Sequence, residues 1–266
     1  MKFIDIHGHY AWDIDDGMRF KEETIDALKL ASKQGIDEIV ATPHMCCGKD
    51  DNKEAILERL DELKVLGMRM GIKIHMGCEL MLNSHVSDAL KFQHYIPIAN
   101  SKYLLCEDNV RKNNDDFVEF FDIYVKEVIM HGYTPIIAHV ERYFHTPIDL
   151  DYVRYLIDLG CIIQVNTTSI LGQCHPQHHE NVMKLLDEQL VHIIATDSHR
   201  SEAPRCPNML DCYYYLLNEG YLQRYIDLLM YENPKRVVYN RHILKPHFKK
   251  VRNKLKKLFA PKIKTR

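Results

Sequence analysis

The stretch Phe3-Ile4-Asp5-Ile6-His7-Gly8-His9 contains the pattern that the rest of the chain repeats. It begins as a short apolar run typical of a buried strand. It ends in two histidines that stand two residues apart, so an extended backbone points both imidazoles the same way. An amphipathic stretch follows, with apolar residues at helical spacing as far as Gly35. One strand and one helix therefore form the first unit.

Six further strand-like runs rich in Ile and Val follow, at 38–42, 72–78, 102–106, 135–138, 161–165 and 192–195. Helical patterns separate them, and two or three more helices are predicted between 208 and 238. Repeated strand–helix units predict parallel strands with helices outside. Seven such units favour a closed or nearly closed barrel, with an open doubly wound sheet as the alternative. Neither GxGxxG nor GxxxxGK[ST] occurs, so both nucleotide-binding fingerprints are absent.

Size and composition indicate a soluble protein with one large domain or two small ones. The 266 residues include 46% hydrophobic and 27% charged residues, and no apolar run approaches the roughly 20 residues of a membrane-spanning helix. Asp5 and His7 interrupt the N-terminal apolar stretch, so no secretory signal is predicted and we expect a cytoplasmic protein. The eight cysteines are then expected to stay reduced, and no Cys-x-x-Cys zinc pattern occurs.

Charge is segregated along the chain. After Glu232 there are 13 basic residues and no acidic one, so the rest of the chain carries a net charge near −15. Apolar residues at spacings of three and four within 245–259 predict a basic amphipathic helix in a tail of residues 241–266, beyond a domain of residues 1–240. Such a tail either lies peripherally on an anionic membrane or packs on the acidic body or a neighbouring subunit. The acidic body argues against nucleic-acid binding.

Metal-capable side chains recur at the carboxyl ends of six of the seven predicted strands. Parallel strands open these ends on one face, where the active sites of α/β barrels lie. Imidazole together with carboxylate suits Mn, Zn or Fe, and a carboxylate can bridge two cations. The strand-end segments are Asp5-Ile6-His7-Gly8-His9, Thr42-Pro43-His44, Gly77-Cys78-Glu79, Cys106-Glu107-Asp108, Ala138-His139-Val140-Glu141-Arg142 and Thr196-Asp197-Ser198-His199.

Each of these residues alone is weak evidence. A single histidine at a strand end is more often structural than a ligand, and Glu107, Asp108 or Asp197 alone could cap a helix. The joint placement indicates a site, because independent structural roles would not select strand ends repeatedly. Most other histidines are interpreted as surface or packing residues. His145 lies just beyond the fifth strand, and His175-Pro-Gln-His178-His179, although able to bind metal adventitiously, is predicted to be a loop.

In their order along roughly residues 1–240, these segments resemble the PHP (polymerase and histidinol phosphatase) superfamily. Two motifs are similar to its CpsB/CapC-type branch of capsular polysaccharide tyrosine phosphatases: Asp13-Ile-Asp15-Asp16-Gly17 and His139-Val-Glu141-Arg142. The other matching motifs are Asp5-x-His7-x-His9, Thr42-Pro-His44, Gly77-x-Glu79 and Thr196-Asp197-x-His199.

This resemblance implies a PHP domain, a distorted TIM-like (β/α)7 barrel, with two or three divalent metal ions. Mn is the foremost candidate, with Fe, Zn, Co or Mg as alternatives. Arg142 and a second arginine, Arg205 or its competitor Arg200, are implied to bind the substrate phosphate, and Asp16 is a further catalytic candidate. Glu107 matches the family better than Asp108. The implied metal ligands are His7, His9, Asp16, His44, Glu79, Glu107, His139, Asp197 and His199.

The activity implied by the resemblance is metal-dependent hydrolysis of a phosphomonoester. The expected substrate is a phosphotyrosine protein, namely a membrane-associated bacterial tyrosine kinase of capsular or exopolysaccharide export. Metal-activated water would attack phosphorus while arginines hold the phosphate oxygens. A histidinol-phosphate-like small-molecule phosphatase is the alternative within this class, and a non-catalytic metal-stabilised binding module is the alternative outside it. The oligomeric state stays open.

Cysteine-based phosphatase chemistry is not expected. It requires a Cys-x5-Arg loop, and no cysteine of this chain has an arginine at that spacing. Cys106 and Arg111 are separated by four residues and lack the glycines of a phosphate cradle. The eight cysteines are therefore predicted to be dispensable for turnover.

Overall fold

The structure, a computed structural model, describes residues 2–49, 53–108 and 114–252. Its strands are β1 (Phe3–Asp5), β2 (Ile36–Ala41), β3 (His44–Cys46), β4 (Lys73–Met76), β5 (Glu79–Met81), β6 (Tyr103–Glu107), β7 (Thr134–Ile137), β8 (Ile162–Asn166) and β9 (Ile193–Ala195). Its α-helices are α1 (Lys21–Lys33), α2 (Lys53–Arg69), α3 (Val86–Lys91), α4 (Asn114–Met130), α5 (Leu150–Asp158), α6 (Thr167–Ile170), α7 (Pro176–Asp187), α8 (Met209–Asn218), α9 (Gln223–Asp227) and α10 (Asn233–Val238). No helix among these residues is long and apolar enough to cross a membrane.

The paired strands are parallel and form two sheets, in the orders β1-β2-β4 and β3-β5-β6-β7-β8-β9. Strands β3 and β5 continue β2 and β4 after short interruptions, so seven strand positions follow one another around a ring. The first and last positions meet at a bridge between Gly8 and Ser198. There the His9 amide donates to the Ser198 carbonyl (2.8 Å) and the Asp197 amide to the His7 carbonyl (2.9 Å). The fold is an irregular, incompletely closed (β/α)7 barrel.

Side-chain alternation along β6 decides between its two acidic candidates. Tyr103 and Leu105 belong to the apolar cluster inside the barrel, whereas Leu104 and Cys106 belong to the cluster beneath the outer helices. Successive strand residues point to opposite faces, so Glu107 faces the same side as Leu105. Asp108 falls on the other side. This parity places the Glu107 carboxylate, and not that of Asp108, at the barrel mouth.

Helix α7 begins at Pro176, earlier than the helical pattern from 181 onward predicts. His175 is its N-cap, and the ring Nδ1 accepts a hydrogen bond from the Gln177 amide (3.2 Å). Proline suits the first helical turn because its fixed φ is already helical and its missing N–H would be unpaired there. The loop predicted for 175–179 is therefore wrong for residues 176–179, which form the first turn of a helix with His175 as its N-cap.

The basic tail departs from its predicted helix in the part that the structure describes. Residues 241–252 contain no helix, and 253–266 lie outside the described residues. Phe248 packs on the ring of Tyr225 at 5.4 Å, and the Leu222 amide donates to the Val251 carbonyl (2.8 Å). The Arg252 guanidinium donates to the Glu219 carbonyl (2.8 Å). Residues 248–252 are therefore held by apolar packing and hydrogen bonds to the body, and not by the hydrogen bonds of a helix.

Val251→Ala is expected to lower the free energy of unfolding by about 1–2 kcal/mol, because it removes buried methyl groups and leaves a small cavity. Val251 is 6% exposed. Leu244→Ala is the matched control, since Leu244 lies in the same segment but is 43% exposed, so its truncation leaves no enclosed cavity. Urea denaturation of both variants measures the difference. Equal effects would contradict the anchoring of this segment on the body.

Candidate metal centre

A cavity of about 490 Å³ opens at the carboxyl ends of the strands. Most of its lining was predicted from the strand ends. Lys49, which follows β3, and Met81, which ends β5, were not predicted. The full lining is Asp16, His44, Lys49, Glu79, Met81, Glu107, His139, Arg142, Asp197, His199 and Arg205.

Three overlapping groups of potential metal ligands form the floor of this cavity. Within each group the donor atoms all lie within 4.8 Å of one another. Together the groups include all but one of the ligands that the family resemblance implies. The groups are His7, His9, Glu79 and Asp197; His9, Asp16, His44 and His199; and His44, Glu79 and Glu107.

Glu79 connects these groups through one carboxylate oxygen. Its Oε2 lies 3.1 Å from Nε2 of His7, 3.1 Å from Nε2 of His9 and 3.3 Å from Nδ1 of His44. The remaining implied ligand, His139, places Nε2 2.8 Å from Glu79 Oε1. A carboxylate shared in this way has the geometry of a ligand that bridges two cations.

The donor set fits cations because its inward-facing atoms lie close to one another but form no hydrogen bond to a described residue. These atoms are buried, yet none has a hydrogen-bond partner within the described residues; they are His7 Nε2, His9 Nε2, His44 Nδ1, Glu79 Oε2 and Glu107 Oε1. Buried polar atoms are nearly always paired in folded proteins. Five such atoms converging on one place indicate ligands for ions.

The opposite ring nitrogens are held by hydrogen bonds, two of them to Gln164 and Asp15, which the sequence did not single out as site residues. His7 Nδ1 donates to the Gln164 side-chain oxygen (3.0 Å), and His9 Nδ1 donates to Asp15 Oδ2 (2.7 Å). His199 Nδ1 donates to the Asp197 carbonyl (2.9 Å). Such outer contacts fix the tautomer and aim Nε2 at the cavity floor, as they do around bound metals. No sequence signal marks Gln164, because its strand, β8, is the one predicted strand that does not end in His, Asp or Glu.

The concentration of carboxylates and imidazoles shifts their pKa values. Burial lowers the pKa of His44, but the charges of Glu79 and the neighbouring carboxylates raise it to about 10. Burial and the charge of Glu79 raise the pKa of Glu107 to about 7. Burial works against ionisation of Glu79, yet the imidazoles of His7 and His44 hold its pKa well below its usual range. Divalent cations would neutralise these carboxylates while leaving the imidazoles neutral.

Two of the candidate ligands have unusual backbone conformations. His139 and Asp197 follow β7 and β9 with φ of 34° and 53°, in the left-handed region that non-glycine residues rarely adopt. Asp197 is held there by an amide hydrogen bond to the His7 carbonyl (2.9 Å), and its Oδ2 accepts from Asn166 Nδ2 (2.8 Å). Strained residues of this kind cluster at functional sites.

The three arginine candidates separate by what their guanidinium groups contact. Arg142 Nη1 lies 3.0 Å from Asp197 Oδ2, and Arg205 Nη2 lies 2.7 Å from His199 Nε2; both arginines line the cavity. Arg200 instead donates to the backbone carbonyls of Asp16 (2.9 Å) and Gly17 (2.5 Å). Arg142 and Arg205 are thus placed to meet an anion in the cavity, while Arg200 holds the loop that carries Asp16.

Neither Asp108 nor the cysteines belong to the donor groups. Asp108 is buried, and its amide donates to the Tyr143 hydroxyl (3.0 Å). All eight cysteines are unbridged. Burial raises the pKa of Cys78 and of Cys161 to about 12, so both thiols stay protonated near neutral pH. Thiolate chemistry therefore has no support at this site.

Comparison with known proteins finds similarity along nearly the whole chain. A family model described as "Capsular polysaccharide synthesis, CpsB/CapC" matches residues 3–239. The putative tyrosine-protein phosphatase CapC of Staphylococcus aureus is 31% identical over 247 residues, covering 91% of this chain and 93% of the relative. The tyrosine-protein phosphatase CpsB of Streptococcus agalactiae serotype III (strain NEM316) is 28% identical over 257 residues, covering 90% of this chain and 100% of the relative.

A solved structure has the same fold. It comes from crystal structures of YwqE from Bacillus subtilis and CpsB from Streptococcus pneumoniae, described as metal-dependent tyrosine phosphatases. The TM-score is 0.80 at 24% identity, covering 94% of this chain and 100% of that chain. The architecture expected from the strand–helix rhythm is therefore confirmed.

Proposed function

Because the chain belongs to the CpsB/CapC family of capsular polysaccharide synthesis proteins, we propose that it is a metal-dependent protein-tyrosine phosphatase. The observation that supports this most is the set of three overlapping donor groups on the floor of a cavity whose wall carries Arg142 and Arg205. A site with several ligand groups and open space above them suits a catalytic centre, whereas structural metal sites are usually single and closed. This argues against a non-catalytic binding module.

The proposed ligands are the nine residues that the resemblance implies, from His7 to His199. Bound there, two or three divalent ions would supply Lewis-acid stabilisation of phosphate charge and activation of water at neutral pH. Mixed imidazole and carboxylate donors are compatible with Mn²⁺, which is our foremost candidate. Glu79 would bridge ions, and Gln164 and Asp15 would orient His7 and His9.

Arg142 and Arg205 are proposed to bind the phosphate oxygens. Their planar guanidinium groups offer paired hydrogen bonds that match phosphate, and they stabilise negative charge as the phosphoryl group is transferred. Contacts of Arg142 with Asp197 and of Arg205 with His199 hold both arginines beside the donor groups. His199 and His44 keep the pKa of Asp16 far below its usual range, which favours metal ligation over proton donation by this carboxylate. A phenolate leaving group, with a pKa of about 10, needs little acid assistance.

The proposed substrate is phosphotyrosine in a protein, and the relatives' names support this choice over a small phosphoester. A membrane-associated tyrosine kinase of capsule export is the proposed partner. The test is turnover of phosphotyrosine peptides, phosphoserine peptides and histidinol phosphate after chelation and metal add-back. After metal add-back, we expect phosphotyrosine peptides to be hydrolysed faster than phosphoserine peptides or histidinol phosphate. A preference for histidinol phosphate would favour the small-molecule alternative, and no turnover with any substrate would contradict the phosphatase.

Iodoacetamide is expected to leave p-nitrophenyl phosphate turnover within about twofold of the untreated protein, because no cysteine belongs to the donor groups or lines the cavity, so alkylation of a partly exposed thiol removes no site residue. A chelator is expected to abolish turnover, and added Mn²⁺ to restore it. Initial rates before and after each treatment provide the measurement. Loss of activity with iodoacetamide in protein that remains folded would contradict the metal mechanism.

We also propose that the chain works in the cytoplasm and that its basic tail contacts the inner face of the membrane. Six of the 13 basic residues after Glu232 lie in 253–266, immediately beyond the segment anchored by Val251 and Arg252. Each Lys or Arg near an anionic surface contributes about 1 kcal/mol to binding. Deleting 253–266 is expected to abolish flotation with phosphatidylserine vesicles and to leave the low binding to phosphatidylcholine vesicles unchanged. Equal flotation of both chains with phosphatidylserine would eliminate this contact.

A further inference from the structure

A second group of histidines lies where the loop after β7 meets the start of α7. It consists of His145, His175 and His178, here called the outer histidine cluster. None of the three contributes an atom to the donor groups of the metal centre. The ring centroids lie 5.4 Å apart for His175 and His178, 5.8 Å for His145 and His178, and 6.4 Å for His145 and His175.

His178 is the buried member of the cluster. Its side chain projects from the first turn of α7, only 8% of the residue is exposed, and neither ring nitrogen has a hydrogen-bond partner within the described residues. A buried imidazole with both nitrogens unpaired is unusual, since buried polar groups are nearly always satisfied. The residues that the structure describes thus leave both ring nitrogens of His178 unpaired.

The other two histidines are exposed and can complete a site around His178. Nδ1 of His175 accepts from the Gln177 amide, which leaves Nε2 as its ligand atom. Three imidazoles on one tetrahedral ion, with metal–nitrogen distances of about 2.0–2.1 Å, would have ring centroids about 5 Å apart. The observed separations are slightly larger. An ion would therefore have to draw the exposed rings of His145 and His175 closer to His178, which is the buried member of the cluster.

The protonation state of His178 is the one in which imidazole binds metal ions. Burial, together with the positive charge of Arg142 and the neighbouring histidines, lowers the pKa of His178 to about 4. The ring is therefore neutral near pH 7, and neutral imidazole is the form that binds metals. A phosphate group would find no positive charge on this ring.

We propose that the outer histidine cluster binds one divalent transition-metal ion of the zinc type, separate from the metal centre in the cavity. Imidazole nitrogens alone, with no carboxylate among them, suit Zn²⁺, Cu²⁺ or Ni²⁺ better than Mg²⁺ or Mn²⁺. Water would complete the coordination on the exposed side. This site goes beyond the proposed phosphatase function and does not depend on it.

Such an ion would reinforce a connection that the chain already makes. Asn181 of α7 holds the same loop: its Nδ2 donates to the carbonyls of Phe144 (3.0 Å) and Thr146 (3.2 Å), and its Oδ1 accepts from the Ile148 amide (2.9 Å). His145 lies three residues after Arg142. A bound ion would therefore fix α7 to the loop beside the proposed phosphate-binding arginine.

The test is zinc stoichiometry of the full chain after equilibrium dialysis at low-micromolar free Zn²⁺. The double variant His145→Gln/His175→Asn is expected to bind one zinc per chain fewer than the wild type. Both positions are exposed, and asparagine keeps an N-cap for α7, so folding is preserved. His131→Gln, which changes an exposed histidine elsewhere, is the matched control and should bind as many zinc ions as the wild type.

Hydrogen exchange provides an independent readout. Added Zn²⁺ is expected to slow amide exchange in residues 144–148 and 176–180 of the wild type, and to lose this effect in the double variant. Equal zinc counts in all three proteins would overturn the proposal. Loss of zinc from His131→Gln to the same extent would also overturn it, because binding would then be adventitious on surface histidines.

Discussion

Glu79→Gln is expected to lower kcat/KM for p-nitrophenyl phosphate by at least about 100-fold and to reduce the bound metal by one ion or more. One oxygen of Glu79 lies within 3.3 Å of ring nitrogens of His7, His9 and His44, and its other oxygen lies 2.8 Å from His139 Nε2, so this carboxylate connects four histidines. Glutamine has the same shape but no charge, and its amide nitrogen cannot bind a cation. Steady-state kinetics and metal analysis on the same preparation measure both effects.

The matched control for this change is Glu38→Gln. Glu38 lies on β2 away from the cavity, and its carboxylate pairs with His75 at 2.7 Å. This variant also loses one charge and one histidine contact, but it should retain its metals and stay within about twofold of wild-type kcat/KM. An unchanged metal content and rate in Glu79→Gln, in protein that is folded by circular dichroism, would contradict the bridging role.

Arg205→Ala is expected to lower kcat/KM by about 10²–10³-fold, the usual cost of removing one group that stabilises developing negative charge. Arg205 lines the cavity and lies beside His199, so its loss should weaken phosphate binding as well as turnover. Arg205→Lys should recover only part of the loss, because an ammonium group cannot make the paired hydrogen bonds of a guanidinium. Kinetics on a phosphotyrosine peptide separate the effects on KM and kcat.

The variant Arg200→Ala tests whether Arg205 or Arg200 is the second phosphate-binding arginine. Its guanidinium contacts the carbonyls of Asp16, Gly17 and His199, so its loss should loosen that loop and lower the melting temperature. The rate should fall less than tenfold, since no direct contact with phosphate is removed. A larger loss of kcat/KM in Arg200→Ala than in Arg205→Ala would reverse the assignment of the second phosphate-binding residue.

The candidate ligands at the strand ends could be predicted because each is marked by its immediate sequence neighbours. An apolar run followed at once by His, Asp or Glu is visible in one dimension, and parallel topology brings all such ends to one face. His7, Glu79, Glu107 and Asp197 therefore come together as the sequence predicts. The choice of Glu107 over Asp108 also follows from strand parity once the start of β6 is known.

Other features depend on contacts that local sequence does not encode. Gln164 and Asn166 hold His7 and Asp197, but a neutral amide within an apolar strand gives no metal signal. Spacing could not separate Arg200 from Arg205, because both lie in an irregular loop where packing decides the direction of each side chain. Residues 245–252, the described part of the helix predicted for 245–259, are not helical for a related reason: apolar residues at helical spacing can also pack on the body, and Val251 is buried there.

The bridge between Gly8 and Ser198 has a consequence for biosynthesis. It joins the first strand of the barrel to the last, and the proposed ligands are spread over about 190 residues from His7 to His199. At a translation rate of about 5–20 residues per second, the first histidine pair leaves the ribosome roughly 10–40 seconds before its last partners are made. During that interval a nascent chain can offer His7 and His9 to any ion but cannot assemble the shared carboxylates around it. The proposed donor set can therefore be complete only after residue 199 has been made, and a chain terminated before residue 197 would carry most of the barrel without Asp197 or His199 in the site.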